Sequence, residues 1–449
     1  MSIVQAFAQQ SFGDGAYVVD IVPVISHGIV ASVTDNSGAS LHLLPFDPMA
    51  LKTSSGNLLK PFVKTANSSN INAITSVNEN VVAICGDQGL KLYDLRTSLS
   101  GGAAVHQFTI ESNAEMLCLA SNQDNKIAVG TQLVSADAGV VLWDIRTAKQ
   151  SVAYIDSHSD DVTDISFHPH DNTALLSGSV DGLVNIYNTA IADEDEAVFQ
   201  VINHGASIHK ARFLPDNRIL ALSHMETMSI YTLANPDSEE PDVKPLEFGD
   251  IRQSWDCDYI ADLLLSDGYI GAGSNSEKHE FKLIPFNSNS GQVDLSNVIT
   301  LGGAHGEEVV RAIHINHQAQ CVYTGGEDGI VRVWRPQDSG NSLAAAEPWQ
   351  NVSDQAGEAM AVDDESEKSG DSATKGGEWE QVETKHKHKH KHKSKDKHSK
   401  SKEKDEDEAR KLEKKARKEK KRAKEEAKSK KESSKHSKDR KEQARYQPY

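Results

Sequence analysis

The chain carries nineteen histidines, each a potential general base or metal ligand. The first question is whether any stands among the partners such chemistry needs. His158 is followed by Asp160 and Asp161, a grouping that could attract a cation. Acidic residues after a histidine are also ordinary loop residues, and that reading is preferred here. Cys85, Cys118, Cys257 and Cys321 are scattered with no CxxC spacing, which argues against a zinc site or disulfide framework and for buried, reduced thiols. The phosphate-cradling glycine loops, the GxSxG elbow and the HExxH helix are all absent from the sequence. No catalytic residue, cofactor or metal is therefore expected.

Two of the histidines instead belong to a long-period repeat. His158 lies 29 residues before Tyr187, with Ser177 ten and Asp181 six residues before that aromatic. His305, Thr324, Asp328 and Trp334 reproduce all three spacings. The aromatic end recurs as Phe46-Asp47, Tyr93-Asp94, Trp143-Asp144, Tyr187-Asn188, Tyr231-Thr232, Phe286-Asn287 and Trp334-Arg335, at intervals of 47, 50, 44, 44, 55 and 48 residues. Asp87 and Asp137 keep the six-residue spacing, and Glu226 and Glu280 fall near it. Apolar alternation at Val184 and Ile186, and at Val331 and Val333, marks strands whose every second side chain enters a core.

These segments resemble WD repeats, whose units stack radially into a β-propeller. The resemblance implies an all-β, seven-bladed WD40 propeller over residues 1–337. It also implies a hydrogen-bonded tetrad in the two best repeats: His158, Ser177, Asp181 and Tyr187 in one, His305, Thr324, Asp328 and Trp334 in the other. Because Tyr187 replaces Trp, its phenol is expected to reach the hydroxyl less directly. The other five repeats lack tetrad members and are expected to rest on apolar packing, with His204 at a similar place before its repeat. Ser2 to Phe7 reads as a strand that completes the last blade, and the acidic connectors 192–196 and 235–242 as loops at the rim. An extension at 129–146 in the third repeat, followed by Ser177 to Tyr187, resembles the family of WD repeat-containing protein 89, seven-bladed propellers with no assigned chemistry.

Two arginines carry the sharpest binding signal. Tyr93-Asp-Leu-Arg96 and Trp143-Asp-Ile-Arg146 resemble, the first in part, the WDxR pattern of substrate receptors that dock on cullin-4 ubiquitin ligases. There a guanidinium could make paired hydrogen bonds to a partner carboxylate. An arginine two residues after such a dipeptide is also a common solvent-facing residue at a strand end.

Charge divides the chain. Residues 1–350 hold 18 Lys and Arg against 43 Asp and Glu, a balance of −25, while residues 384–449 hold 28 against 13, a balance of +15. An acidic body repels phosphate backbones and attracts basic partners, so nucleic-acid contact is expected only in the tail. Residues 338–384 read as an acidic disordered linker with a lone Trp379, and 385–449 as Lys-rich low complexity, partly helical, with no apolar seam for a coiled coil. Lys414, Lys415, Arg417, Lys418, Lys420, Lys421 and Arg422 form a candidate nuclear or nucleolar import signal. With no signal peptide and no apolar run near the ~20 residues that span a bilayer, a soluble intracellular protein is expected, nuclear with a cytoplasmic pool. The expected function is a non-enzymatic scaffold, monomeric within its complexes. It would bind other proteins on the propeller faces, and RNA or acidic partners weakly through the tail. The alternatives are a ligase substrate receptor acting through Arg96 and Arg146, and a ribosome-assembly factor.

Overall fold

In the computed structural model, residues 2–54, 59–65, 69–99, 103–135, 137–234 and 243–335 are described. The linker, the Lys-rich tail, Trp379 and the candidate import residues Lys414 to Arg422 lie outside them, as do 235–242.

Seven antiparallel sheets follow one another along the chain and form a seven-bladed propeller, as the repeats imply. The innermost strands, in order, are Tyr17–Val24, Ile71–Ser76, Met116–Ser121, Val162–Phe167, Ile208–Leu214, Tyr259–Leu264 and Val310–Asn316. A four-stranded sheet is apolar on both faces and cannot bury them alone, so each blade packs on its neighbours. One core of Ala174, Leu176, Val184, Ile186, Ile208, Ala211 and Phe213 joins blade 4 to blade 5. Val331 and Val333 of blade 7 pack with Val18, Ile29 and Ala31 of blade 1, closing the ring.

A β-bulge recurs in every innermost strand. The register slips between Val18 and Asp20, Ile71 and Ala73, Met116 and Cys118, Val162 and Asp164, Ile208 and Lys210, Ile260 and Asp262, and Val310 and Ala312. The extra residue sharpens local twist, which suits strands that splay outward from a common axis. Glycines on the neighbouring strand let the next blade approach. A Cβ on Gly178 would lie 2.4 Å from Ile208 Cγ2, and one on Gly130 would lie 2.5 Å from Val162 Cγ1.

The N-terminus closes the ring in two steps rather than one. Ala6–Ser11 pairs antiparallel with Ile330–Trp334 and completes blade 7, as expected. Ser2–Val4, read from sequence as part of that same strand, instead pairs in parallel with Ile299–Gly302 and adds a fifth strand to the edge of blade 6. The connector between the third and outermost strands of blade 4 also departs from a plain rim loop. Asp193 caps a short helix, Glu194–Ala197, and the Glu194 carboxylate accepts from the backbone N–H groups of Ile155 and Asp156 on the edge of blade 3. The third-repeat extension is a hairpin loop between Lys126–Thr131 and Ala138–Asp144, pinned by a bridge from Val134 to Asp137.

Candidate interaction site

Both complete tetrads assemble as the repeat spacing implies. In blade 7, Trp334 Nε1 donates to Thr324 Oγ1 at 2.8 Å; His305 Nε2 lies 2.8 Å from that oxygen and Nδ1 lies 2.8 Å from Asp328 Oδ1. Burial holds the His305 pKa below its ordinary value against the attraction of Asp328, so the ring is neutral. Its two nitrogens bridge Asp328 and the Thr324 hydroxyl, and Arg332, paired with Asp328, brings Nη1 to 2.9 Å from Nδ1. In blade 4, His158 Nδ1 lies 3.0 Å from Asp181 Oδ2 and Nε2 lies 2.7 Å from Ser177 Oγ. The Tyr187 phenol reaches Ser177 Oγ at 3.0 Å, a direct contact where an indirect one was expected, and it also meets Ser157 Oγ at 2.8 Å. Burial pushes its pKa up to about 12, so it stays a neutral donor. His, hydroxyl and carboxylate in a row could suggest a nucleophile, yet Ser177 and Thr324 are fully buried and each hydroxyl is already held from both sides. These groups join the strands and turn of a blade to the segment that enters it from the blade before.

Blade 5 holds a rewired version that the sequence did not disclose. His204 Nδ1 lies 3.0 Å from the Tyr231 hydroxyl and Nε2 lies 3.1 Å from Thr227 Oγ1, which meets Ser223 Oγ at 2.7 Å. The Tyr231 phenol thus meets the ring nitrogen that a carboxylate meets in the tetrads, and Thr227 takes the place of the hydroxyl. Glu226 turns away to blade 6, where it accepts from the Ile260 N–H at 3.3 Å. Burial pushes its carboxyl up to about 7. Asp87 and Asp137 are exposed, and neither meets a histidine among the described hydrogen bonds.

Arg96 and Arg146 follow the third strands of blades 2 and 3, on the face opposite the tetrad loops. Their side chains are 65% and 66% exposed. Each folds back on the aspartate two residues before it: Arg96 reaches Asp94 through Nε at 2.9 Å and Nη2 at 2.5 Å, and Arg146 reaches Asp144 through Nη2 at 3.3 Å. A third tripeptide of the same kind, Asp250-Ile251-Arg252, makes the same contact at 2.6 Å. It follows an outermost strand, Leu246–Asp250, on the opposite face. The geometry is therefore a local property of Asp-x-Arg and does not by itself mark a docking face.

The residues after the bulges bring charge to the axis from four blades. Arg212 pairs with Asp164, and Lys210 Nζ lies 3.8 Å from Asp262 Oδ1. Burial raises the Asp20 carboxyl to about 7, against the pull of Lys210. An apolar residue two positions before Asp20, Asp164, Lys210 and Asp262 is the sequence signal for the cluster, visible only once the seven inner strands are aligned; Arg212 lies two residues further along the strand of Lys210. At one end of blades 4 to 6, a cavity of about 380 Å³ is lined in part by Phe167, Pro169, Phe213, Pro215, Leu263 and Leu265. All four cysteines are buried and unbridged. Among the described residues no group of three or more His, Cys, Asp and Glu is placed to hold a metal ion, His158 with Asp160 and Asp161 included. No described helix is long and apolar enough to cross a membrane.

Comparison with known proteins agrees with this architecture. The WD domain, G-beta repeat family matches residues 149–188 and 296–335. Each match runs from the outermost strand of one blade through the first three strands of the next, the offset by which repeats interlock blades. An uncharacterized WD repeat-containing protein of Saccharomyces cerevisiae is 36% identical over 332 residues, covering 72% of this chain and 80% of its own. Another, of Schizosaccharomyces pombe, is 34% identical over 62% of this chain and 87% of its own. The WD repeat-containing protein 89 homolog of Dictyostelium discoideum is 32% identical over 35% of this chain and 41% of its own. With seven interlocked blades, two complete tetrads and relatives that span the propeller, the chain belongs to the WD-repeat family.

Proposed function

We propose that the propeller is a non-catalytic docking platform for basic protein segments. The observation that carries this reading is the charge of the ring, −23 over residues 1–337, from 18 Lys and Arg against 41 Asp and Glu, on a scaffold whose His–hydroxyl–carboxylate groups are committed to one another. A surface potential of that sign raises the encounter rate of cationic partners and disfavours nucleic acid. The Lys-rich tail, by the same reasoning, supplies nuclear import through Lys414 to Arg422 and a weak, sequence-independent contact to RNA. Together these properties suit a factor that holds basic RNA-binding proteins during assembly of a ribonucleoprotein such as the ribosome. Docking on a ligase adaptor through Arg96 and Arg146 is the weaker reading, because each guanidinium is already engaged by its own aspartate.

Affinity purification of the full chain with mass spectrometry tests the platform. Captured proteins should be rich in basic segments and should elute as ionic strength rises. A set of neutral or acidic partners that resists high salt would contradict it.

A further inference from the structure

A propeller leaves the outermost strand of each blade as an edge, and in this ring most of the edges are short or covered. The outermost strands of blades 1 and 2 span only Val63–Lys64 and His106–Phe108. Glu194 caps two N–H groups on the edge of blade 3, Ser2–Val4 covers blade 6, and the helix Pro48–Ser54 packs beside Ala6–Ser11 on blade 7. Blade 5 ends in Leu246–Asp250, where a register slip interrupts the ladder. Blade 4 ends in Val198–Asn203, where the slip falls near the start of the strand, at Phe199, and leaves the four residues Gln200 to Asn203 paired without interruption.

Register decides which backbone groups of that edge face outward. The His204 N–H bonds Gly182 O, so in an antiparallel ladder Ile202 and Gln200 also bond inward, while Val201 and Asn203 direct N–H and C=O away from the blade. Among the described residues nothing hydrogen-bonds to these outward groups. Side chains follow suit. Ile202 enters the core shared with blade 5, and Gln200 bonds the Thr232 carbonyl at 3.0 Å. Phe199 and Val201 are 38% and 54% exposed. Soluble proteins usually guard such an edge with charge, proline or a covering element.

We infer that the Val198–Asn203 edge of blade 4 is a strand-addition site for an extended partner segment in which basic residues alternate with apolar ones. Backbone pairing to Val201 and Asn203 would supply affinity, and contact with Phe199 and Val201 would select apolar side chains at alternate positions. Charge complementarity specifies the rest of the occupant. The run Asp193-Glu194-Asp195-Glu196 leads directly into this strand, and Asp193, Asp195 and Glu196 are exposed. The molecule already shows a fifth strand seated on a blade edge, in Ser2–Val4 on blade 6. This inference rests on the reading of the propeller as a platform for basic segments and names where one of them binds.

The test uses the full chain and two labelled peptides of identical composition, one with Lys and Val alternating and one with its Lys and Val in separate blocks. The alternating peptide should bind more tightly, and hydrogen exchange on the wild-type chain should show residues 198–203 gaining protection. Val201→Pro removes the outward N–H without touching an inward bond and should weaken the alternating peptide at least about tenfold. Val201→Thr keeps the N–H and should retain most of the binding. The exchange measurement needs no variant, so misfolding of Val201→Pro leaves the test intact. Equal binding of both peptides with unchanged exchange at 198–203 would overturn the strand-addition site while leaving the acidic platform standing. Binding of neither peptide would overturn both.

Discussion

His158 Nδ1 lies 3.0 Å from Asp181 Oδ2, while the other nitrogen of the same ring lies 2.7 Å from Ser177 Oγ. One imidazole, at the end of the outermost strand of blade 3, thus reaches the turn between the second and third strands of blade 4. Asp181→Ala would leave a buried ring nitrogen without its acceptor and should cost ~1–3 kcal/mol. Arg146→Ala removes an exposed, locally paired side chain and should change stability by less than about 0.5 kcal/mol. Thermal melts of the two variants decide between a tetrad and an incidental contact: equal losses would sink the tetrad.

Acid should act through the same carboxylates. Burial opposes ionisation of Asp181 and Asp328, but hydrogen bonds from His158 and His305 outweigh it and hold both below the ordinary value of 3.8. A depressed carboxyl stabilises the fold above its unfolded pKa and loses that contribution as pH falls through the folded one. Melting temperature should therefore drop steeply below pH 3.8, and less steeply in Asp181→Asn.

Glu226 has the opposite sign. Burial raises its carboxyl from 4.5 to about 7, so between those values the folded chain holds a proton that the unfolded chain has released. Its contribution to stability falls as pH rises through that window. Glu226→Gln should melt higher than wild type at pH 8 and nearly the same at pH 4. A variant that melts lower at both values would show that the carboxylate is stabilised by a partner instead.

Blade-to-blade contact leaves no room at Gly178, where a Cβ would fall 2.4 Å from Ile208 Cγ2. Gly178→Ala should cost ~1–3 kcal/mol through overpacking, measured by denaturant unfolding. The N-terminal strands should be lost in graded steps. Deleting residues 2–4 strips a fifth strand from blade 6, whereas deleting 2–11 also opens the edge of Ile330–Trp334, so only the longer deletion should aggregate strongly.

Much of this was legible before the fold. Spacings of 29, 19 and 23 residues among His, hydroxyl, carboxylate and aromatic groups are set by strand and turn lengths, so identical spacing in two repeats meant identical geometry. Where a repeat changes residue type, local sequence no longer says who meets whom. In blade 5 the Tyr231 phenol meets the ring nitrogen that a carboxylate meets elsewhere, and Glu226 leaves for blade 6, which only the packing of two blades reveals. The break between Ser2–Val4 and Ala6–Ser11 was hidden because both read as one alternating run; which edge each meets depends on ring closure. The axial pairs Arg212 with Asp164 and Lys210 with Asp262 come from neighbouring blades about fifty residues apart, beyond the reach of a local pattern.

The tail, outside the described residues, makes its own prediction. If 385–449 contacts RNA by neutralising phosphates, log K should fall with log salt by about 0.7 per phosphate on a single strand and depend little on sequence. The isolated tail should bind more tightly than the full chain, whose acidic ring competes for it. A chain cut after Thr384 should lose nuclear accumulation in cells. Salt-insensitive binding, or a truncated chain still concentrated in the nucleus, would contradict this role.

Zero-length carbodiimide cross-linking of the affinity-captured complexes, read by mass spectrometry, bears most directly on the proposed platform, because it joins carboxylates only to amines in contact. The expected result is a set of links from Asp and Glu of residues 1–335 to lysines of the partners. Links confined to lysines of residues 385–449 and partner carboxylates would show that the tail does the binding and that the propeller is not the platform.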